Sequence, residues 1–238
     1  MNATTKERPI LFKGEMVRAI LNGRKTMTRR VVKPQPKGET SHARYWCEET
    51  GEWEWMYNAV TAHPGRGFFC PYGKTGDRLW VRETFRLSTR EDCTCYEPCY
   101  CRTGVPIYRV DMDHGEENWK PSIFMPRWAS RILLEVTDVR IERLQDITAK
   151  DALAEGTSCP VTIDGAPLIN ISHRPSAAEF LNEHNLARFS KGENLGTPFD
   201  EDNWIIAHFA ALWESINGDG SWDANPYVWM VEFKRVQP

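Results

Sequence analysis

Gly23-Arg24-Lys25-Thr26-Met27-Thr28-Arg29-Arg30 carries four cationic side chains and two hydroxyls in eight residues. It follows a run whose apolar positions, Met16, Val17, Ile20 and Leu21, recur at helical spacing, and it leads into the extended pair Val31-Val32. Gly23 is suited to end that helix, because a residue without a Cβ enters the left-handed region at no steric cost. Beyond the turn, strand alternation sets Thr26, Thr28 and Arg30 on one side and Met27, Arg29 and Val31 on the other. Lys25 lies in the turn, where strand parity does not fix its direction. An ammonium, a hydroxyl and a guanidinium can therefore converge on one site. The plainer alternative is a surface strand with solvated Lys and Arg, since a charge run alone is weak evidence of function.

With Asn22 in front, the stretch resembles the Gly-x-Lys-x-x-Thr-x-Arg signature of the ASCH domain, a PUA-like β-barrel family. Other pieces resemble the longer, phage- and prophage-type members: Cys70-Pro71-Tyr72-Gly73, Gly76 to Glu83, Met125 to Arg131 and Trp229-Met230-Val231-Glu232-Phe233. The resemblance implies an α+β fold, a PUA-like mixed β-barrel with flanking short helices. It implies a single domain over 1–238, with poorly matched insertions near 34–69, 88–105 and 157–200. In the small bacterial members the fold carries an amidohydrolase that removes the acetyl group from N(4)-acetylcytidine, with a Lys, a Thr and a Glu implicated. Matched residue by residue, the Lys and Thr fall on Lys25 and Thr28. The Glu falls on Glu155 if Leu144 to Thr148 aligns with the family's equivalent segment.

The chemistry such a triad needs is available. A Thr hydroxyl attacks only when a base takes its proton. Lys25 is such a base if desolvation or nearby cations lower its pKa, and Arg24, Arg29 and Arg30 supply cations. Glu155 would orient Lys25, relay a proton or hold the substrate amine, and Arg30 or turn amides would stabilise an oxyanion. Catalytic residues are thus expected at Lys25, Thr28 and Glu155, and substrate contacts at Arg24, Arg30, Trp80, Arg82, Glu83, Arg127 and Trp128. The competing structural reading is a plain Lys25–Glu155 salt bridge. A second function class is a non-catalytic RNA-binding module, in which Arg24, Arg29, Arg30, Arg82, Arg127 and Arg131 contact phosphate and Trp80 or Trp128 stacks a base. A ribonuclease is a third, though no His pair suggests it. The expected partner is a modified nucleoside or RNA, and no cofactor is needed for the chemistry.

Composition bounds these readings. The chain has 238 residues, 41% apolar, with ten Trp, enough for a packed core. A net charge of −3 excludes a globally basic nucleic-acid binder, so any such role must come from a local patch. No run of about 18 apolar residues occurs and Met1 to Lys6 lacks an apolar core, so a soluble, cytoplasmic protein with reduced cysteines is expected. Cys93, Cys95, Cys99 and Cys101 put four thiols in nine residues. They are candidates for a structural zinc site, with free thiols the alternative, because the Cys-x-Cys spacing is less diagnostic than Cys-x-x-Cys.

Along the chain, two short strands flank Gly51, with Tyr45, Trp46, Trp53, Trp55 and Tyr57 covering a barrel end or stacking bases. One strand is expected from Arg78 to Leu87. Alternation from Ser130 to Leu144 changes parity at Thr137-Asp138, which suggests a bulge or bend. Thr148 and Asp151 form a capping-box pattern with Ile147 stapled onto Ala152. That helix ends at Glu155-Gly156, where a glutamate opposes the helix dipole. A final amphipathic helix carries Trp204, Ile205, His208, Phe209, Leu212, Trp213 and Ile216, and Tyr227 to Val236 makes the last strand.

Overall fold

A computed structural model describes residues 5–33, 35, 43–47, 52–56, 69–89, 92, 103–112, 118–157, 162–163, 166–167 and 201–237 of the chain. The four clustered cysteines, Tyr57, most of the three insertions and the side chains of Tyr45, Trp46, Trp53 and Trp55 lie outside this description.

The fold is α+β. A five-stranded mixed sheet has the order β1 (Glu7–Leu11), β5 (Arg78–Arg82), β8 (Leu133–Arg143), β11 (Tyr227–Val236), β2 (Met27–Val31). β1 runs parallel to β5, and β5 antiparallel to β8. Three two-stranded sheets accompany it: β3 (Ala43–Cys47) with β4 (Glu52–Met56), β6 (Phe85–Leu87) with β7 (Pro106–Tyr108), and β9 (Thr162–Ile163) with β10 (Ala166–Pro167). The first of these is the strand pair expected around Gly51, and it is antiparallel. The described helices are α1 (Gly14–Leu21), α2 (Ala149–Ala154) and α3 (Glu201–Asn217). None of them is long and apolar enough to cross a membrane.

The chain divides into two compact units. One comprises Met1–Gly23, Cys70–Val139 and Glu232–Pro238, the other Arg24–Phe69 and Arg140–Val231, so β8 and β11 belong to both.

In the first unit, α1 buries Met16, Val17, Ala19 and Ile20 and ends at Gly23, whose φ of +72° only a glycine adopts freely. The single strand expected over Arg78 to Leu87 is instead two strands in different sheets. The break falls at Glu83-Thr84. The Glu83 N–H points to the Met125 sulfur at 3.5 Å, and the buried Glu83 carboxylate takes both Nε and Nη2 of Arg131 at 3.0 Å. The buried carboxylate and the break between the strands coincide, and Phe85 beyond it packs with Met125 and Ala129.

In the second unit, α2 and α3 close a core of Leu144, Ile147, Ala152, Ile205, Phe209, Ala210, Trp213, Trp222 and Val228. Each large apolar side chain buried there contributes about 1.5–3 kcal/mol. The capping box forms as the sequence predicts, with Thr148 Oγ1 accepting from the Asp151 N–H at 3.1 Å. Ile147 and Ala152 share the core, as a hydrophobic staple requires. On α3 the buried stripe is Ile205, Phe209, Ala210 and Trp213, while Ile216 in the last turn runs past the core and is exposed.

Candidate functional site

Two segments of the second unit are pinned at successive residues. The Thr26 N–H donates to the Ala154 carbonyl at 2.8 Å. One residue along on each side, Lys25 Nζ donates to the Glu155 carbonyl and to Glu155 Oε2, both at 2.7 Å. Ala154 and Glu155 are the end of α2, where backbone carbonyls have no partner within the helix. Thr26 and Lys25 satisfy them, and the ammonium sits at the negative end of the helix dipole. That resolves the oddity of a glutamate in this position: the cation that meets the helix end also meets its carboxylate.

The pair is buried, with side-chain exposures of 2% for Lys25 and 6% for Glu155. Burial pushes the Lys25 ammonium below its ordinary pKa of 10.5. The charge and hydrogen bond of Glu155 oppose that shift, and Arg30 and then Arg29 reinforce it. The buried amine is thus easier to deprotonate than a surface lysine, despite its carboxylate partner.

Arg29 stands behind this pair, with its side chain wholly buried. Its Nη2 donates to Glu142 Oε1 on β8 at 2.6 Å and to Asp151 Oδ2 on α2 at 3.1 Å. Its Nη1 lies 3.5 Å from Glu155 Oε1 and 3.3 Å from the Met27 sulfur. The contact with Met27 agrees with the alternation that places both on one side of β2. One guanidinium therefore joins three carboxylates from two elements. Asp151 both caps α2 and anchors Arg29.

Thr28 is buried in β2, one position before Arg29, and alternation puts it on the same side as Arg30. Arg30 is half-buried and close enough to Lys25 to depress it more than Arg29 does. Arg24 is exposed.

The remaining candidates belong to the first unit. Trp80 is buried under the Arg82 guanidinium, which lies 4.9 Å from the ring centroid and donates from Nε to the Met125 carbonyl. Glu83 is held by Arg131, which also forks onto Asp111 and lies over the Tyr108 ring at 3.8 Å. Burial is the main influence on the Glu83 carboxyl and raises its pKa; Arg131 opposes it. Arg127 pairs with Glu7 at 2.8 Å. Trp128 is 64% exposed and joins Trp119, Phe124, Pro121, Phe85 and Lys120 around a groove of about 670 Å³.

Sequence reasoning brought Lys25 and Glu155 together but passed over Arg29 as the centre of a network, with Glu142 and Asp151. The available signal was an arginine on the Met27 side of a short strand, where burial demands partners. Among the described residues no cluster of His, Cys, Asp and Glu is arranged to hold a metal ion. Comparison with family models, curated proteins and solved structures returned no match.

Proposed function

We propose that the chain is an ASCH-type hydrolase acting on an acylated nucleoside or nucleobase, with an amide of the N(4)-acetylcytidine kind as the reference substrate. The observation that carries this reading is the buried Lys25–Glu155 pair, whose lysine shares a short segment with the buried Thr28. A lysine with a lowered pKa is suited to act as a base, and a hydroxyl three residues away in the sequence supplies a nucleophile.

In the proposed reaction, neutral Lys25 takes the Thr28 proton as Thr28 Oγ1 bonds to the acyl carbon. The resulting ammonium is stabilised by Glu155 and returns the proton to the leaving amine as the C–N bond breaks. Water then cleaves the Thr28 ester, releasing the carboxylic acid. Arg30 is the candidate to stabilise the oxyanion, and Arg24 to meet the substrate from outside. The accompanying fold proposal is a PUA-like mixed barrel, supported by the mixed pairing of the main sheet and by β8, whose buried positions run Leu133, Leu134 and Val136 and then, past the exposed Thr137, Ile141. A cytoplasmic setting suits a nucleoside or RNA substrate. The chemistry uses no cofactor, and a zinc at Cys93, Cys95, Cys99 and Cys101 would be structural.

The test is release of free acid from N(4)-acetylcytidine and related N-acyl nucleosides. The wild type is expected to turn over, and Lys25→Ala and Thr28→Ala to lose most of the rate. An inactive wild type across the panel would overturn the reading.

The aromatic groove favours one second reading, an RNA-binding module. Exposed Trp128 and Phe124 offer π-faces and Lys120 a cation. Under that reading Trp128→Ala weakens single-stranded RNA binding, and Arg127→Ala or Arg82→Ala flattens its salt dependence.

A further inference from the structure

The cluster around Arg29 is larger than a salt bridge needs. A buried Lys25–Glu155 pair alone balances one charge with one. Here a second buried cation is added and is itself held by two further carboxylates from β8 and α2. Fixing so many charges out of water is costly unless geometry compensates. The geometry has a direction. Glu142 and Asp151 both take Nη2, leaving Nη1 facing Glu155 Oε1, while Glu155 Oε2 takes Lys25.

We propose that Arg29 is a positioning residue: braced on Glu142 and Asp151, it fixes the Glu155 carboxylate in the orientation that engages Lys25. That geometry stands independently of the hydrolase reading, on which only its consequence for turnover rests. At 3.5 Å, Nη1 holds Glu155 Oε1 electrostatically rather than by a hydrogen bond, and Oε1 has no hydrogen-bond donor among the described residues. Glu155 is thus oriented from one side while its hydrogen bonding is committed to Lys25 on the other.

Among the described residues, the charges acting on Lys25 include Glu155 at the end of α2 and Arg29 and Arg30 on β2. Glu142 on β8 and Asp151 on α2 lie behind Arg29, and Arg140 Nε is 3.7 Å from Glu142 Oε2. Removing Arg29 releases Glu155, whose charge and hydrogen bond raise Lys25, so Arg29→Gln moves its titration downward, whereas loss of the Arg29 charge alone would move it upward. Glu142→Gln deletes an anion that neutralises Arg29, so it moves the titration downward. Mere loosening of the site would admit water and move both upward, because burial is the main depressing influence.

The experiment is NMR titration of side-chain-labelled lysine in the wild type, Arg29→Gln and Glu142→Gln, with Lys25 assigned through Lys25→Arg. Downward shifts in both variants are the expected result. Unchanged titration, or an upward shift in Arg29→Gln, overturns the proposal, since Arg29 would then act on Lys25 through its own charge alone or merely close the site. Glu142 lies at the edge of the network, so if Arg29→Gln does not fold, Glu142→Gln decides alone: a downward shift supports the proposal and any other result overturns it. In the acid-release assay, Arg29→Lys is expected to lower kcat on the order of a hundredfold with KM little changed, since a reacting group is misplaced. Downward NMR shifts in both variants of a protein whose wild type never turns over would retain Arg29 as a positioning residue and discard the hydrolase.

Discussion

Lys25 Nζ grips Glu155 twice, through the carboxylate and through the main-chain carbonyl, each at 2.7 Å. The two residues are 130 positions apart in sequence, and the hydrogen bond from Thr26 to Ala154 fixes their register. A side-chain ion pair alone tolerates rotation of either partner. The carbonyl contact removes that freedom, because Nζ must meet the helix end and the carboxylate together.

Breaking this pair from one side strands a buried charge. Lys25→Met is expected to cost about 3–5 kcal/mol, whereas Lys25→Met with Glu155→Leu recovers most of that loss. Urea unfolding of the two single variants and the double variant measures the coupling. Additive losses would mean that the pair contributes no mutual stabilisation.

The lowered pKa of Lys25 fixes a sign for two pH dependences. Folding favours the neutral amine relative to the unfolded chain, so this group's unfavourable contribution shrinks as pH rises between its folded value and 10.5. Hydrolysis requires the neutral amine, so kcat/KM should rise with pH along a limb centred below 10.5. Glu155→Gln removes the influence that opposes the lowering and should move that limb to lower pH while reducing kcat. A limb left in place by Glu155→Gln would assign it to another group.

Asp77 contributes to the acid behaviour of the first unit. Its carboxylate accepts from Arg8 at 2.6 Å and from the N–H groups of Lys6 and Lys74 at 3.1 and 3.2 Å. Burial alone would raise its pKa, but these donors outweigh that and hold it below 3.8. The stability it supplies is therefore present above 3.8 and lost as pH falls through the lower folded value. Asp77→Asn should cost about 2 kcal/mol at neutral pH, with the gap to wild type closing in strong acid. A constant gap across pH would contradict this.

Gly73 sits over the same carboxylate at φ +99°, and a Cβ there would fall 2.7 Å from both Asp77 Oδ2 and Arg8 Nη1. Gly73→Ala should cost about 1–3 kcal/mol through backbone strain alone, and more if the ion pair is displaced. Thermal unfolding reads this directly, and an unchanged midpoint would refute it.

What the sequence made legible was local. The apolar spacing of α1, the glycine at its end, the capping box of α2 and the last strand all rest on neighbouring residues, and all appear where the pattern puts them. Glu155 drew notice because a glutamate at a helix end is electrostatically misplaced. Arg29 did not stand out, since one more cation in a basic run carries no mark of burial and Glu142 reads as an ordinary polar position of β8. Asp151 had already been accounted for by its cap, which concealed its second partner. The break at Glu83-Thr84 is less legible for a related reason: Arg131, which holds the Glu83 carboxylate there, lies 48 residues away.

Mass spectrometry of the protein quenched during turnover of N(4)-acetylcytidine tests the hydrolase reading most directly. The prediction is an acetyl group on the peptide carrying Thr28 and on no other, with both the adduct and acetate release lost in Thr28→Ala. Acetate release at the wild-type rate from Thr28→Ala would contradict the mechanism.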